Sequence, residues 1–123
     1  MKRILVIEDD DSVRKLIRRI LEGAGYTVLE APDGVQGVQV YREQRPDLVL
    51  TDIFMPGKEG LETILELGLL DPEVRIIAVS GGGNMGILNP LPMAAKLGAL
   101  RTLSKPFSGK ELVDLVEEIF PRP

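Results

Sequence analysis

The chain has 123 residues, 44% of them hydrophobic and 28% charged, with 15 Lys and Arg against 19 Asp and Glu. That length fits one domain, residues 1–123 with 121–123 as a terminal tail, large enough to bury a core without staples. Having no cysteine and no histidine, it excludes disulfides, thiolate metal sites, histidine bases and a phospho-accepting histidine, and its net charge of −4 argues against direct nucleic-acid binding.

The chain opens with a predicted strand, Lys2–Ile7, whose run Ile4-Leu5-Val6-Ile7 does not alternate in polarity, as expected of a strand buried on both faces. The run stops at Glu8-Asp9-Asp10-Asp11, too soon for a signal peptide, and no apolar stretch approaches the ~18 residues of a membrane span. The expectation is a cytoplasmic protein with no membrane partner. Val13, Leu16, Ile17, Ile20, Leu21 and Ala24 then repeat at helical spacing, with Asp10 or Asp11 suited to the N-cap and Gly25 to a left-handed turn at the end. Thr27–Ala31, Leu48–Thr51 and Arg75–Val79 read as strands, separated by helices over about 34–44 and 60–69. Between 81 and 98, Gly81-Gly82-Gly83, Pro90 and Pro92 leave room only for a short helix of about 92–98. Leu100–Leu103 is the last strand. Ser108-Gly109-Lys110-Glu111 reads as a capping box for a final helix lined by Leu112, Leu115, Val116, Ile119 and Phe120, which Pro121 ends.

Five βα units of this length predict an α/β fold, a single doubly wound five-stranded parallel sheet of the flavodoxin-like kind in strand order 2-1-3-4-5. Ligands of such sheets sit beyond the carboxyl ends of the strands. Those ends deliver Glu8, Asp9 and Asp10, then Thr51 and Asp52, then Ser80, then Lys105, while the second strand ends in Ala31-Pro32 outside the site. Carboxylates crowded together repel one another unless a cation offsets them, and an all-oxygen donor set suits Mg²⁺. Lys105 adds a charge that can hold phosphate, and Ser80 a hydroxyl donor. An Asp beside a divalent ion, a lysine and a hydroxyl can accept a phosphoryl group. Singly, each residue has an ordinary reading as a cap, a turn residue, a loop hydroxyl or a solvated lysine. Their joint arrival at successive strand ends points to one site.

Four blocks carry a resemblance: Ile4 to Asp10, Leu48 to Gly57, Ile76 to Gly81 and Leu103 to Phe107. In this order and spacing they are similar to the receiver domain of bacterial response regulators, over essentially the whole chain. The resemblance implies Asp52 as phospho-acceptor, Asp9 as direct Mg²⁺ ligand, Glu8 acting more distantly, and Asp52 and the backbone carbonyl of Phe54 completing the protein's share. It implies that Lys105 holds a phosphoryl oxygen, that Ser80 moves toward the phosphoryl group, that the Lys105–Pro106 bond is cis, and that Pro56 and Gly60 shape the loop after the acceptor. Its implied partners are a sensor histidine kinase or histidine phosphotransfer domain and a downstream protein, with a phosphorylation-dependent homodimer also compatible. The domain would be a signalling phospho-acceptor, catalysing at most its own phosphorylation and dephosphorylation.

One departure is Thr102, at the switch position where many receivers carry Tyr or Phe, so ring rotation there cannot read out the switch. The glycine- and proline-bearing loop at 81–92 is expected to order on phosphorylation, with hydrogen exchange as the check. Arg14, Lys15, Arg18 and Arg19 are expected to point outward from the first helix, and Lys110, Glu111, Asp114, Glu117 and Glu118 from the last. They would serve cross-helix pairing or kinase docking.

Other readings fit less well. Gly81-Gly82-Gly83-Asn84-Met85-Gly86 matches a dinucleotide fingerprint, but prolines follow it and it sits after the fourth strand. A flavodoxin needs hydroxyls where this chain has acids. An Asp-nucleophile phosphatase of the haloacid dehalogenase type needs its Asp-x-Asp after the first strand. A receiver-like adaptor that is never phosphorylated is the remaining alternative.

Overall fold

The computed structural model describes residues 2–53, 60–81 and 91–121. Five strands, β1 (Arg3–Ile7), β2 (Thr27–Ala31), β3 (Leu48–Asp52), β4 (Ile76–Ser80) and β5 (Arg101–Ser104), alternate with five helices. These are α1 (Asp11–Gly23), α2 (Gly34–Gln44), α3 (Gly60–Leu70), α4 (Leu91–Leu97) and α5 (Gly109–Ile119). All pairings are parallel and the order is β2-β1-β3-β4-β5, the topology that five βα units predicted.

The alternating parity of strand side chains divides the interior into two cores. Leu5 and Ile7 pack with Val38, Ile64 and Ala94 under α2, α3 and α4. Ile4 and Val6 pack with Ile17, Leu21, Leu112 and Val116 under α1 and α5. A strand covered on both faces has no use for polar alternation, and Ile4 to Ile7 are all 0% exposed.

Local chemistry sets the helix ends. The Asp10 carboxylate accepts from Val13 N–H at 3.1 Å, making Asp10 rather than Asp11 the N-cap. Gly25 follows the helix at φ 98°, in the left-handed region. Asp33 caps α2 through Gln36 N–H at 2.8 Å. Ser108 and Glu111 form the reciprocal capping box of α5, with bonds of 3.0 and 3.2 Å. The fourth helix begins one residue earlier than its prolines suggested, with Pro92 in its first turn, where no intrahelical N–H is needed.

Outward-facing charge on α1 is corrected for two residues. Arg14 and Arg18 do not project toward α5. Both donate to the carboxylate of Glu30, which shares the α1 side of β2 with Val28. Lys110 pairs along its own helix with Asp114 at 2.6 Å. Lys15 and Arg19 are exposed as expected.

Candidate functional site

The order reverses direction between β1 and β3, so their carboxyl ends open side by side, and three carboxylates arrive there. Glu8 and Asp9 follow β1 directly, and Asp52 is the last residue of β3. One carboxylate oxygen from each lies within 4.8 Å of the others. Glu8 is 2% exposed and Asp52 6%, whereas Asp9 is open to solvent.

Lys105, just past β5, completes the group from two strands away. Its ammonium donates to Glu8 Oε1 at 2.7 Å and to Asp52 Oδ2 at 2.8 Å. Two things guide it there. Its backbone N–H donates to the Ser80 carbonyl at 2.7 Å, tying the end of β5 to that of β4. Its stem then passes Gly81, where a Cβ would stand 3.6 Å from Lys105 Cδ. The Lys105–Pro106 peptide is cis, as the resemblance implies.

The electrostatics follow from burial. Desolvation pushes the Glu8 carboxyl up to about 7; the Lys105 hydrogen bond opposes the rise, and the Asp52 charge and an Asp9 hydrogen bond add to it. Lys105 moves the other way: burial disfavours its charge, but the hydrogen bonds to Asp52 and Glu8 outweigh that and hold its pKa above the usual value. Three acids with one internal cation leave negative charge at a largely water-poor strand edge. That surplus and an all-oxygen donor set fit a hard divalent ion such as Mg²⁺.

Ser80 ends β4 beside this group, 2% exposed and in register with Ser104. Thr102 pairs with Ala78 further down the same strands. Phe54, Pro56 and most of the 81–92 loop lie outside the described residues, as does the 81–86 glycine motif beyond Gly81. Among the described residues β2 adds no carboxylate to the cluster.

Three residues support the site through contacts that the sequence does not show: Arg14, expected to point outward, Thr51, placed only at the end of its strand, and Gly60, placed only in the loop after the acceptor. Arg14 donates to the Glu8 backbone carbonyl at 2.7 Å, fixing the residue that turns the chain out of β1. The Thr51 hydroxyl, fully buried, donates to the Asp52 carbonyl at 3.1 Å. Gly60 brings the start of α3 so close that a Cβ there would stand 2.4 Å from the Asp52 carbonyl oxygen. The signal for Arg14 was present: four residues after the N-cap, it lies one turn along on the side facing β2.

A doubly wound sheet of this order, with acids at the ends of β1 and β3 and a lysine after β5, defines a class. Residues 4–117 match the response regulator receiver domain family. The chain belongs to that family, the receiver domains of two-component systems, which are signalling modules rather than conventional enzymes and which bind Mg²⁺ at an acidic pocket. It is 36% identical to the response regulator receiver protein CpdR of Brucella abortus, with 97% of each chain covered. It is 30% identical to sporulation initiation phosphotransferase F of Bacillus subtilis, covering 98% of this chain and 94% of that one. Among solved structures, a CheY-like receiver domain from Methanospirillum hungatei superimposes with a TM-score of 0.89 at 28% identity, covering 97% and 93%. TrrA from Thermotoga maritima, in complex with Mg²⁺ and BeF, gives 0.86 at 28% identity, covering 97% and 99%.

Proposed function

We propose that this chain accepts a phosphoryl group on Asp52 from a phosphohistidine of a sensor kinase or phosphotransfer domain and thereby switches its affinity for a downstream protein. The observation that carries this reading is Lys105 bridging Glu8 and Asp52 inside a three-carboxylate cluster at the switch point of the sheet. Asp9, Glu8 and Asp52, with the Phe54 carbonyl, would hold Mg²⁺. A divalent ion there supplies charge neutralisation for the oxygens that phosphoryl transfer crowds together.

The chain's own residues do the rest. An Asp52 carboxylate oxygen attacks phosphorus in line. The new O–P bond forms as the N–P bond breaks, and the electron pair returns to the departing imidazole. Lys105 exchanges a carboxylate partner for a phosphoryl oxygen, a move its flexible stem permits. Glu8 remains behind as the buried counter-charge that holds the stem in place. The Ser80 hydroxyl donates to a second phosphoryl oxygen. Two charge-assisted hydrogen bonds at ~1.5–3 kcal/mol each give roughly 3–6 kcal/mol. Inverting a 1:99 population takes about 5.5 kcal/mol, so phosphorylation biases the switch strongly without saturating it. With Thr102 in place of a ring, readout passes through Ser80 and the backbone that follows it.

Intact mass tests the reading. Incubation with acetyl phosphate and Mg²⁺, and separately with a phosphohistidine donor, should add one phosphoryl group. Neither Asp52→Asn nor the metal-free protein should gain it. Failure with both donors while Mg²⁺ still binds would leave the unphosphorylated adaptor as the function.

A further inference from the structure

The guanidinium of Arg14 does more than form a surface ion pair. Its side chain is 12% exposed, against 41% for Arg18 one turn further on. Its three nitrogens reach acceptors in three parts of the fold. Nε donates to Glu30 Oε1 on the edge strand β2 at 3.0 Å, Nη2 to Asp11 Oδ1 in the first turn of α1, and Nη1 to the Glu8 backbone carbonyl at 2.7 Å. Glu30 is itself held in place, in register with Val6 of β1 and accepting a second hydrogen bond from Arg18.

The carbonyl that Arg14 reaches belongs to the peptide joining Glu8 to Asp9. The Glu8 N–H continues the sheet ladder, donating to the Ala31 carbonyl at 3.1 Å, so β2 holds the peptide before Glu8 and Arg14 the peptide after it. A peptide group is planar, and fixing its carbonyl sets the direction in which the chain enters Asp9. Past Asp9, the Asp10 N–H donates to Glu8 Oε2 at 3.3 Å, and the Asp10 carboxylate caps α1. Asp9, the exposed acid of the cluster, thus stands on a turn gripped at both ends. Repulsion from its neighbours would otherwise favour a carboxylate turned out to water. We propose, on the strength of the Mg²⁺ site read above, that Arg14, oriented by Glu30, is a positioning residue for the ion. Acting through the Glu8 carbonyl, it keeps the Asp9 carboxylate where it can share a cation with Asp52.

The sign of the effect separates positioning from charge. Arg14 places a positive charge near the acidic edge, so its field alone opposes a cation, and its removal would tighten Mg²⁺ binding. A positioning contact works in the opposite sense: without it Asp9 must be ordered on binding, and affinity falls. Arg18 supplies the control, because it carries the same charge and pairs with the same Glu30, its other hydrogen bond going to Glu22.

The test titrates Mg²⁺ alone into the full chain and follows the amide resonances of Asp9, Asp10 and Asp52, while the remaining amides report that each variant keeps the fold. Arg14→Met should raise the Mg²⁺ Kd roughly tenfold. Arg18→Met should leave it unchanged, although it too loses a bond to Glu30. Arg14→Lys keeps the charge and much of the stem but has one nitrogen for three acceptors. It covers the case in which Arg14→Met fails to fold, and it should still bind Mg²⁺ more weakly than the parent. Equal or tighter binding by an Arg14 variant would overturn the proposal alone, leaving the metal site standing. An equal loss in Arg18→Met would do the same, since it would mean a general softening of the α1–β2 corner. A parent chain that shows no Mg²⁺ binding at these resonances would overturn both the proposal and the metal site on which it rests.

Discussion

Gly60 and Gly68 stand in one helix and differ in what surrounds them. At Gly60 an added methyl would stand 2.2 Å from the Ile53 Cα and 2.4 Å from the Asp52 carbonyl, both backbone atoms with nowhere to go. Gly60→Ala should cost roughly 2–3 kcal/mol and, by moving the peptide that carries Asp52, slow the proposed phosphorylation as well. At Gly68 the space is open and the residue lies inside α3, so Gly68→Ala should stabilise by about 0.5–1 kcal/mol and leave the proposed phosphorylation unchanged. Denaturant midpoints together with acetyl phosphate kinetics separate the two effects. These glycines also mark where sequence reading stopped. Glu8, Asp9, Asp52 and Lys105 were legible because strand ends and charge announce them. Gly60 reads in the sequence as a loop residue, since only the neighbouring backbone shows that a side chain is forbidden there. Lys105 was placed at the right edge, but its reach past Gly81 to two buried acids depends on a rotamer and a neighbouring strand that no local pattern encodes.

At the scale of elements, α1 is held to the edge strand β2 by Glu30, which accepts from Arg14 at 3.0 Å and from Arg18. The Arg18 hydrogen bond chiefly, with Arg14 behind it, pulls the Glu30 carboxyl below the usual glutamate range, against the opposing effect of burial. A depressed carboxyl stabilises the fold above its unfolded pKa, near 4.5, and that stabilisation is lost as the pH falls through the lower folded value. Glu30→Gln should therefore cost about 1 kcal/mol or less at neutral pH. The gap between variant and parent should close under acid. Urea melts at neutral pH and near pH 3 would show it, and a gap that persisted in acid would mean that packing rather than charge holds this corner. The expectation of α1–α5 pairing missed this contact because it treated both helices as bare charged cylinders. The parity of β2 puts Glu30 on the same face as Val28, and so under α1, which becomes apparent only once the strand is known to be an edge. Elements with strong signals were legible: the α1 stripe, the α5 capping box and the apolar runs of β1 and β4 all appear within a residue or two of their predicted positions. The α3 segment is apolar nearly all round, so periodicity could announce a helix without saying which side faces the core.

For the whole molecule, the central strands serve two cores at once, and this has a consequence for the chain before it folds. Ile4-Leu5-Val6-Ile7 and Ile76-Ile77-Ala78-Val79 are uncharged and rich in β-branched residues, the composition of segments that stack with copies of themselves. Parallel pairing delays their protection, because each must wait for a crossover helix and a distant partner strand. The two runs are not equally guarded. Lys2-Arg3 and Glu8-Asp9 bracket the first on both sides, whereas the second has Arg75 before it and, after it, no charged residue until Lys96. Flanking charges act as gatekeepers against aggregation. Refolding from denaturant should therefore lose yield steeply with protein concentration, and the precipitate should be protected from proteolysis chiefly across β4. Ala78→Lys would break the run but also the core, so the informative change is the exposed Gly81→Asp. It should raise the yield of soluble protein without altering the native sheet. Burial on both faces gives the folded chain a dry, rigid floor beneath its acidic edge, and it leaves the unfolded chain with one unguarded adhesive segment.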